Sequence, residues 1–313
     1  MNKQCLLYLG NGFDVAHGYQ TRYKDFYNSK IDELKSSANK GNLLFQHIIS
    51  RITGEYWQDL ERGLYEYSKE LTEQYTEGNV QSAKQFEEEF IALKKLLFNY
   101  LQNPPKIEKT NPGWVIKELS NEWHKLDCHV VSFNYTYFAA AYTSEAEDNS
   151  SGLSFDSKVI TYQHGMINNP NPYRANSYED IVVGIDESQK VEELHSFLYK
   201  TSQRISSVHQ LTQRVRGTDV FIIYGCSMGE SDRFYFKNLF DKRKTNKHYI
   251  VYAFGDKERS KLNNIIRGYT GGLAVFQDEY HNNVVNIIDS SNENSAIQET
   301  RRIMNSILIE PSF

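Results

Sequence analysis

Short, unbroken apolar runs, each closed by glycine or a polar residue, limit most strongly what this chain can fold into. They fall at residues 4–10, 128–133, 159–162, 181–183, 219–224, 249–254 and 273–276. A strand buried on both faces reads as such a run rather than as a strict alternation. Helical patterns separate most of the runs, and strands alternating with helices point to a parallel sheet covered by helices. The expected fold class is therefore α/β with a mainly parallel sheet.

The stretch from 21 to 126 breaks the alternation, since it contains no convincing strand. Phe86, Phe90, Leu93, Leu97 and Leu101 recur at helical steps, as do Trp57, Leu60, Leu64, Tyr67 and Leu71. Asn111 before Pro112 gives a cap and a first-turn proline for a third helix running to about residue 126. The expected organisation is an α/β domain from residues 1–20 and 127–313, with 21–126 as a helical subdomain inserted after the first strand. One later helix is expected over 191–215 and a C-terminal one over 295–309, with loops at 145–152 and 168–176. On the inserted helix that carries Trp57, the acids Asp59 and Glu61 flank the apolar stripe. The favoured expectation is two solvated acids; the alternative is that they face a crevice.

Composition excludes several classes. With 313 residues, 39% hydrophobic and 24% charged, the chain can bury a core and is not disordered. A net charge of −5 argues against nucleic acid as the main partner. Cys5, Cys128 and Cys226 stand singly, so neither a disulfide framework nor a cysteine zinc ribbon is expected. No apolar run approaches the roughly 20 residues of a membrane span, and with no basic n-region followed by a long apolar h-region no signal peptide is expected. A cytoplasmic protein is the expectation. The 9 His show no metalloprotease spacing and no phosphate-binding P-loop is present, so no metal is expected. The 22 Tyr and 17 Phe read mostly as core.

In a parallel sheet, ligands bind beyond the carboxyl ends of the strands, and here those ends carry small or polar residues. The first ends in Gly10-Asn11-Gly12-Phe13-Asp14, the second in Ser132-Phe133-Asn134-Tyr135-Thr136, the third in Gln163-His164-Gly165. The run from 219 ends in Gly225-Cys226-Ser227-Met228-Gly229-Glu230-Ser231-Asp232. Glycines at a strand-to-helix turn let backbone N–H groups approach a phosphate, or serve only the backbone geometry of a tight turn. The third position of the dinucleotide fingerprint is Val15, however, and no acidic second strand follows, so an ordinary nicotinamide dehydrogenase is not expected. His164 at a strand end suits a general base, or is a loop-pairing histidine. Asn134 suits orientation of a ligand or water, or caps a helix. Ser227 and Glu230 suit ribose hydroxyls or phosphate, or cap the helix that follows. Asp232 is accounted for by the dipole of that helix. Gly225-Cys226-Ser227-Met228-Gly229 also fits the nucleophile elbow of serine hydrolases, with Asp256, Asp278 and His281 as downstream partners. A ligand-binding glycine turn is the favoured reading.

Residues 6–26 (LLYLGNGFDVAHGYQTRYKDF), 57–61 (WQDLE), 132–136 (SFNYT), 163–165 (QHG) and 225–232 (GCSMGESD) together resemble the AbiH family of bacterial phage abortive-infection proteins. The family usually carries His where this chain has Cys226. More distantly, the four strand-end motifs are similar to the Rossmann-like, sirtuin-like fold of several anti-phage NADases. That resemblance implies NAD as substrate, with Gly10, Asn11, Gly12 and Asp14 in the cofactor loop. It further implies Asn134 beside the nicotinamide ribose, His164 as base, and Gly225, Ser227 and Glu230 along the cofactor groove. Thr136 stands where that fold usually has Asp, and the zinc ribbon of deacetylating sirtuins is missing. The expected function is an abortive-infection effector that cleaves NAD at the nicotinamide–ribose bond. The alternatives are a nucleotide-sensing module without turnover and a nucleic-acid-cleaving effector. Expected partners are a small-molecule nucleotide and a phage-derived trigger, with no membrane. The inserted helices are expected to close over the crevice or to form a homo-oligomer interface.

Overall fold

The computed structural model describes residues 3–51, 60–74, 80–107, 126–136, 160–167, 177–203, 205–240, 246–270 and 284–309. Strands β1 (Lys3–Leu9), β2 (Leu126–Ser132), β3 (Ile160–Tyr162), β4 (Val220–Tyr224), β5 (His248–Ala253) and β6 (Val284–Asp289) form one sheet in the order β3-β2-β1-β4-β5-β6. Every neighbouring pair is parallel. The chain builds outward from β1 to β3, returns to pair β4 against β1, and builds outward again to β6. That reversal makes the β1–β4 boundary a topological switch point, where an open parallel sheet leaves a crevice beyond its strand ends. The architecture is Rossmann-like α/β.

The continuous apolar runs become strands because both sheet faces are covered. On one face Leu7, Leu9, Val130, Ile222 and Ile250 meet α1 (Asn11–Ala16) through Phe13 and α10 (Glu293–Ile309) through Ile303, Met304 and Ile307. On the other, Leu6, Tyr8, Val131, Phe221 and Val251 meet α7 (Ile205–Gly217), α8 (Arg233–Lys237) and α9 (Gly255–Thr270).

Between β1 and β2 lie α2 (Tyr23–Asn39), α3 (Leu43–Arg51), α4 (Leu60–Gln74) and α5 (Val80–Leu101). The stripe Leu60, Leu64, Tyr67, Leu71 of α4 and the stripe Phe86, Phe90, Leu93, Leu97 of α5 are buried in a common core. A buried aromatic of the Phe86 kind contributes about 3–5 kcal/mol relative to Ala. Helix α3 is started by two carboxylate and amide acceptors: Asn42 Oδ1 takes the Phe45 N–H at 2.8 Å, and Glu89 of α5 takes those of Leu43 and Leu44 at 2.9 and 3.0 Å. This core also takes in Ile181, Val183, Ile185 and Leu198, which follow β3 in the chain. The helical layer is thus joined to the sheet's own connections. Among the described residues no helix is long and apolar enough to cross a membrane.

Two expectations need correction. The run at 181–183 is no sheet strand; it makes one antiparallel bridge, Ile181 to Gly165, and is buried against the helical layer instead. The helix expected over 191–215 is broken into a 3-10 helix at Glu193–Leu198, α6 (Lys200–Gln203) and α7. Tyr199 bridges to Ile185, and the Ser202 hydroxyl bonds the carbonyls of Ser196 and Tyr199, so the backbone turns there, and Leu194 is left 49% exposed. Among the described residues the last strand is Val284–Asp289, for which no strand was expected; it lies at the sheet edge, half-buried at Val284, Asn286 and Asp289. The run at 273–276, the helix expected from 111, the loops at 145–152 and 168–176, Trp57, Asp59, Asp278 and His281 lie outside the described residues.

Candidate active site

The loops after β1 and β4 are locked together. Gly10 N–H donates to Tyr224 O and Gly12 N–H to Gly225 O, each at 2.9 Å. A Cβ at Gly10 would stand 2.5 Å from Gly225 O, and one at Gly12 2.5 Å from Gly225 Cα. Gly225 itself has φ +69°, and a Cβ there would meet Phe13 N at 2.5 Å. These glycines are required by backbone-to-backbone packing, and the N–H donors of Gly10 and Gly12 already have protein acceptors. Asn11 lies at the surface, its side chain exchanging hydrogen bonds with Thr21.

Asp14 follows on α1 and is 1% exposed. Asn134 Nδ2 donates to its Oδ1 at 2.7 Å, and Thr136 Oγ1 to its Oδ2 at 2.6 Å. Burial raises the Asp14 carboxyl to about 7, against the opposing hydrogen bonds of Thr136 and Asn134. The Oδ1 of Asn134 is buried and has no hydrogen-bond partner among the described residues. Thr136 thus serves to hold the carboxylate of Asp14.

Tyr135, between Asn134 and Thr136, addresses a second cluster. Its hydroxyl donates to Val182 O at 3.0 Å and lies 3.3 Å from the Tyr23 hydroxyl. Tyr23 in turn donates to Glu61 Oε1 at 3.4 Å. Glu61 Oε1 pairs with Lys200 Nζ at 2.9 Å, and Lys200 Nζ with Asp232 Oδ1 at 2.7 Å. His164 Nε2 reaches the same Asp232 oxygen at 3.1 Å. Burial alone would raise the Asp232 carboxyl, but Lys200 and then His164 more than offset it and hold it well below the usual carboxylate range. Burial works against the Lys200 ammonium, yet Asp232, Glu61 and Tyr135 together raise it above its ordinary value.

His164 is 6% exposed and ringed by Phe133, Tyr135 and Tyr235, with ring centroids 5.4, 5.9 and 6.0 Å away. Its carbonyl accepts the Val182 N–H at 2.8 Å. Gly165 has φ +83°, and a Cβ there would fall 1.7 Å from Asp180 O, so only glycine lets the His164 segment pair with 180–182. A histidine held by a half-buried carboxylate through one ring nitrogen is the arrangement of a general base with its orienting partner.

Among the sequence-derived candidates, Asp14 and Asn134 come together in one cluster and His164 anchors the other. Ser227 and Glu230 are exposed at the end of β4. The elbow geometry is absent: the left-handed positions are Gly225 and Met228, with Met228 at φ +49°, and a 3-10 helix at Glu230–Asp232 follows. Burial, and then Asp232, push the buried Cys226 thiol up. Sequence reasoning missed Lys200, set Asp232 aside as a helix-dipole residue, and favoured a solvated Glu61; Glu61 is 5% exposed. Spacing held one usable signal, since Glu61 directly follows Leu60 at the edge of the α4 stripe. Among the described residues no three His, Cys, Asp or Glu side chains group as a metal site would.

Fold and site together define a Rossmann-like α/β protein with two acidic clusters, one buried and one half-buried, at the strand ends beside its switch point. Residues 6–254, well over half the chain, match the family model described as bacteriophage abortive infection AbiH. The chain belongs to the AbiH family, and its function at that level is phage abortive infection. A search among curated proteins returns no match.

Proposed function

We propose that this protein is an abortive-infection effector that hydrolyses NAD at the nicotinamide–ribose bond. The observation that carries the reading is the pair of carboxyls at neighbouring strand ends, the buried Asp14 raised to about 7 and the half-buried Asp232 held low beside His164. Oppositely tuned titratable groups are what acid–base chemistry at neutral pH requires. NAD⁺ and water would give nicotinamide, ADP-ribose and a proton through an oxocarbenium-like transition state, as in glycoside hydrolysis. The leaving pyridine is already cationic and needs no strong acid. His164, oriented by Asp232, is the base that takes the proton from water or a ribose hydroxyl. Asn134, fixed by Asp14 through Nδ2, offers its unpartnered Oδ1 as the acceptor that positions that hydroxyl or water. Asn11, Ser227 and Glu230 line the outer part of the cofactor groove, and the interlocked Gly10, Gly12 and Gly225 set its floor. In this reading the protein acts in the cytoplasm after a phage-derived trigger and depletes the cofactor.

A nucleotide sensor without turnover is the second reading, favoured by the near-complete burial of His164. Mass spectrometry of wild type and His164→Ala incubated with NAD⁺ separates the two. The proposal expects nicotinamide and ADP-ribose from the wild type and about 10²–10⁴-fold less from the variant. Equal cleavage by both removes His164 from the mechanism. Tight binding of ADP-ribose with NAD⁺ left intact in phage-challenged extracts gives the sensor.

A further inference from the structure

The chain from Glu61 to His164 joins the inserted helical layer to the site through a buried cation. We propose that Lys200 and Glu61 are positioning residues, a strut through which α4 fixes the Asp232 carboxylate and with it the His164 imidazole. The inference rests on the proposed function only in taking His164 as the working group.

Both ends of the strut are seated. Glu61 stands on α4 between the buried Leu60 and Leu64, inside the helical core. Lys200 is 2% exposed and opens α6; its N–H donates to Ile185 O at 3.1 Å beside the Ile185–Tyr199 bridge. Asp232 sits in a single 3-10 turn, which gives its side chain little support of its own. One oxygen of Asp232 accepts from both Lys200 Nζ and His164 Nε2, at 2.7 and 3.1 Å. A shift of Lys200 therefore moves the atom that holds the imidazole.

Stability alone does not account for this arrangement. Apolar side chains of similar volume usually hold two layers together as well as a buried ion pair or better. What an ion pair adds is a charge at a fixed place, and here that place is the carboxylate of the His164 pair. Tyr23 and Tyr135 run beside the strut, tying α2 and the loop after β2 to Glu61 and to each other. Displacing α4 would separate Glu61 from Lys200 first, so an event on the helical layer has a direct route to His164.

The groups that face His164 are Asp232, Lys200 and Glu61 in this chain of contacts, with the phenols of Tyr135, Tyr23 and Tyr235 and, behind Tyr235, Asp186. Burial pushes all three phenols up, Tyr235 to about 12, so they stay neutral near pH 7. Asp186 is already bound by the N–H groups of Ser188 and Phe234.

The experiment is ¹⁵N-histidine NMR of the intact protein, following the His164 ring through pH, in wild type, Lys200→Met, Lys200→Arg and the double variant Glu61→Gln/Lys200→Met. Removing the cation leaves Asp232 to His164 alone and favours the imidazolium. The ¹⁵N resonances of the ring are expected to move toward those of the imidazolium in Lys200→Met, and by less in the double variant. Lys200→Arg keeps the charge and is expected to stay near the wild-type resonances. If Lys200→Met does not fold, the double variant, which removes both charges of the pair, decides the question. An unchanged ring titration in the folded double variant overturns the proposal and leaves the pair a structural one. This readout needs no turnover: a wild type that leaves NAD⁺ intact refutes the proposed reaction without touching the His164 shift. Where NAD⁺ is cleaved, kcat falls in folded Lys200→Met and in the double variant, with KM unchanged, and is kept in Lys200→Arg.

Discussion

Asp14 and Asp232 are both carboxyls at the ends of neighbouring strands, β1 and β4, and they respond to burial in opposite directions. Asp14 has two neutral donors, Asn134 and Thr136, and burial wins, raising it to about 7. Asp232 has an ammonium and an imidazole on one oxygen, and these win over burial. Hydrogen bonds from neutral groups thus only partly offset desolvation, whereas a cation at contact distance reverses it. One site thereby holds a carboxyl that exchanges its proton near neutrality and another that stays ionised throughout.

The largest effect that sharpens this contrast is expected from Lys200→Met. Leaving the buried Glu61 and the half-buried Asp232 without their cation should remove up to about 3–5 kcal/mol of stability in urea unfolding. Glu61→Gln in the same chain should return a large part of it. A loss below about 1 kcal/mol, the range of a surface pair, would mean that Lys200 does not control Asp232.

Asp14→Asn comes next, through pH. A carboxyl raised in the fold contributes stability that is complete below about pH 4 and lost as pH rises through about 7. Wild-type stability should therefore decline across that window by up to about 4 kcal/mol from this group. The Asp14→Asn variant should lack that decline, as thermal melts at pH 4, 5.5 and 7.5 would reveal. Asp232 acts with the opposite sign: its contribution is present above about pH 4 and fades only in stronger acid. Equal slopes for wild type and Asp14→Asn would put Asp14 among ordinary carboxylates and dissolve the contrast.

The smallest effect is expected from Thr136→Val, which removes one donor from Asp14. Its loss should be about 1–3 kcal/mol at pH 8, where the carboxyl is ionised, and less at pH 5. A loss independent of pH would make the Thr136 hydroxyl a packing contact only.

The strands that are buried on both faces were legible because nothing but a continuous apolar run satisfies two covered faces; β1, β2, β4 and β5 are of this kind. The edge strand β6 was not, since Asn286 interrupts its run and its outer positions are only half-buried. The run at 181–183 shows the converse, an apolar segment whose burial comes from helices. At the site, Asn134, His164 and Asp14 stood out because polar groups at strand ends are unusual. Lys200 did not, because a lysine within a helical pattern reads as solvated and its partners, Glu61 and Asp232, stand far away along the chain. Ion pairs of that range follow from the fold and have no local spacing to betray them.

The seam formed by Gly10, Gly12 and Gly225 has a consequence for any survey of mutational tolerance. Each position rejects even a methyl group because it would strike the backbone of the opposite loop. In a saturation library under selection these three would be depleted as severely as reacting groups. The exposed Asn11 and Ser227, although nearer to solvent and to any visiting molecule, would score as permissive by comparison. A map of intolerance would trace the join between two loops before it traced a ligand.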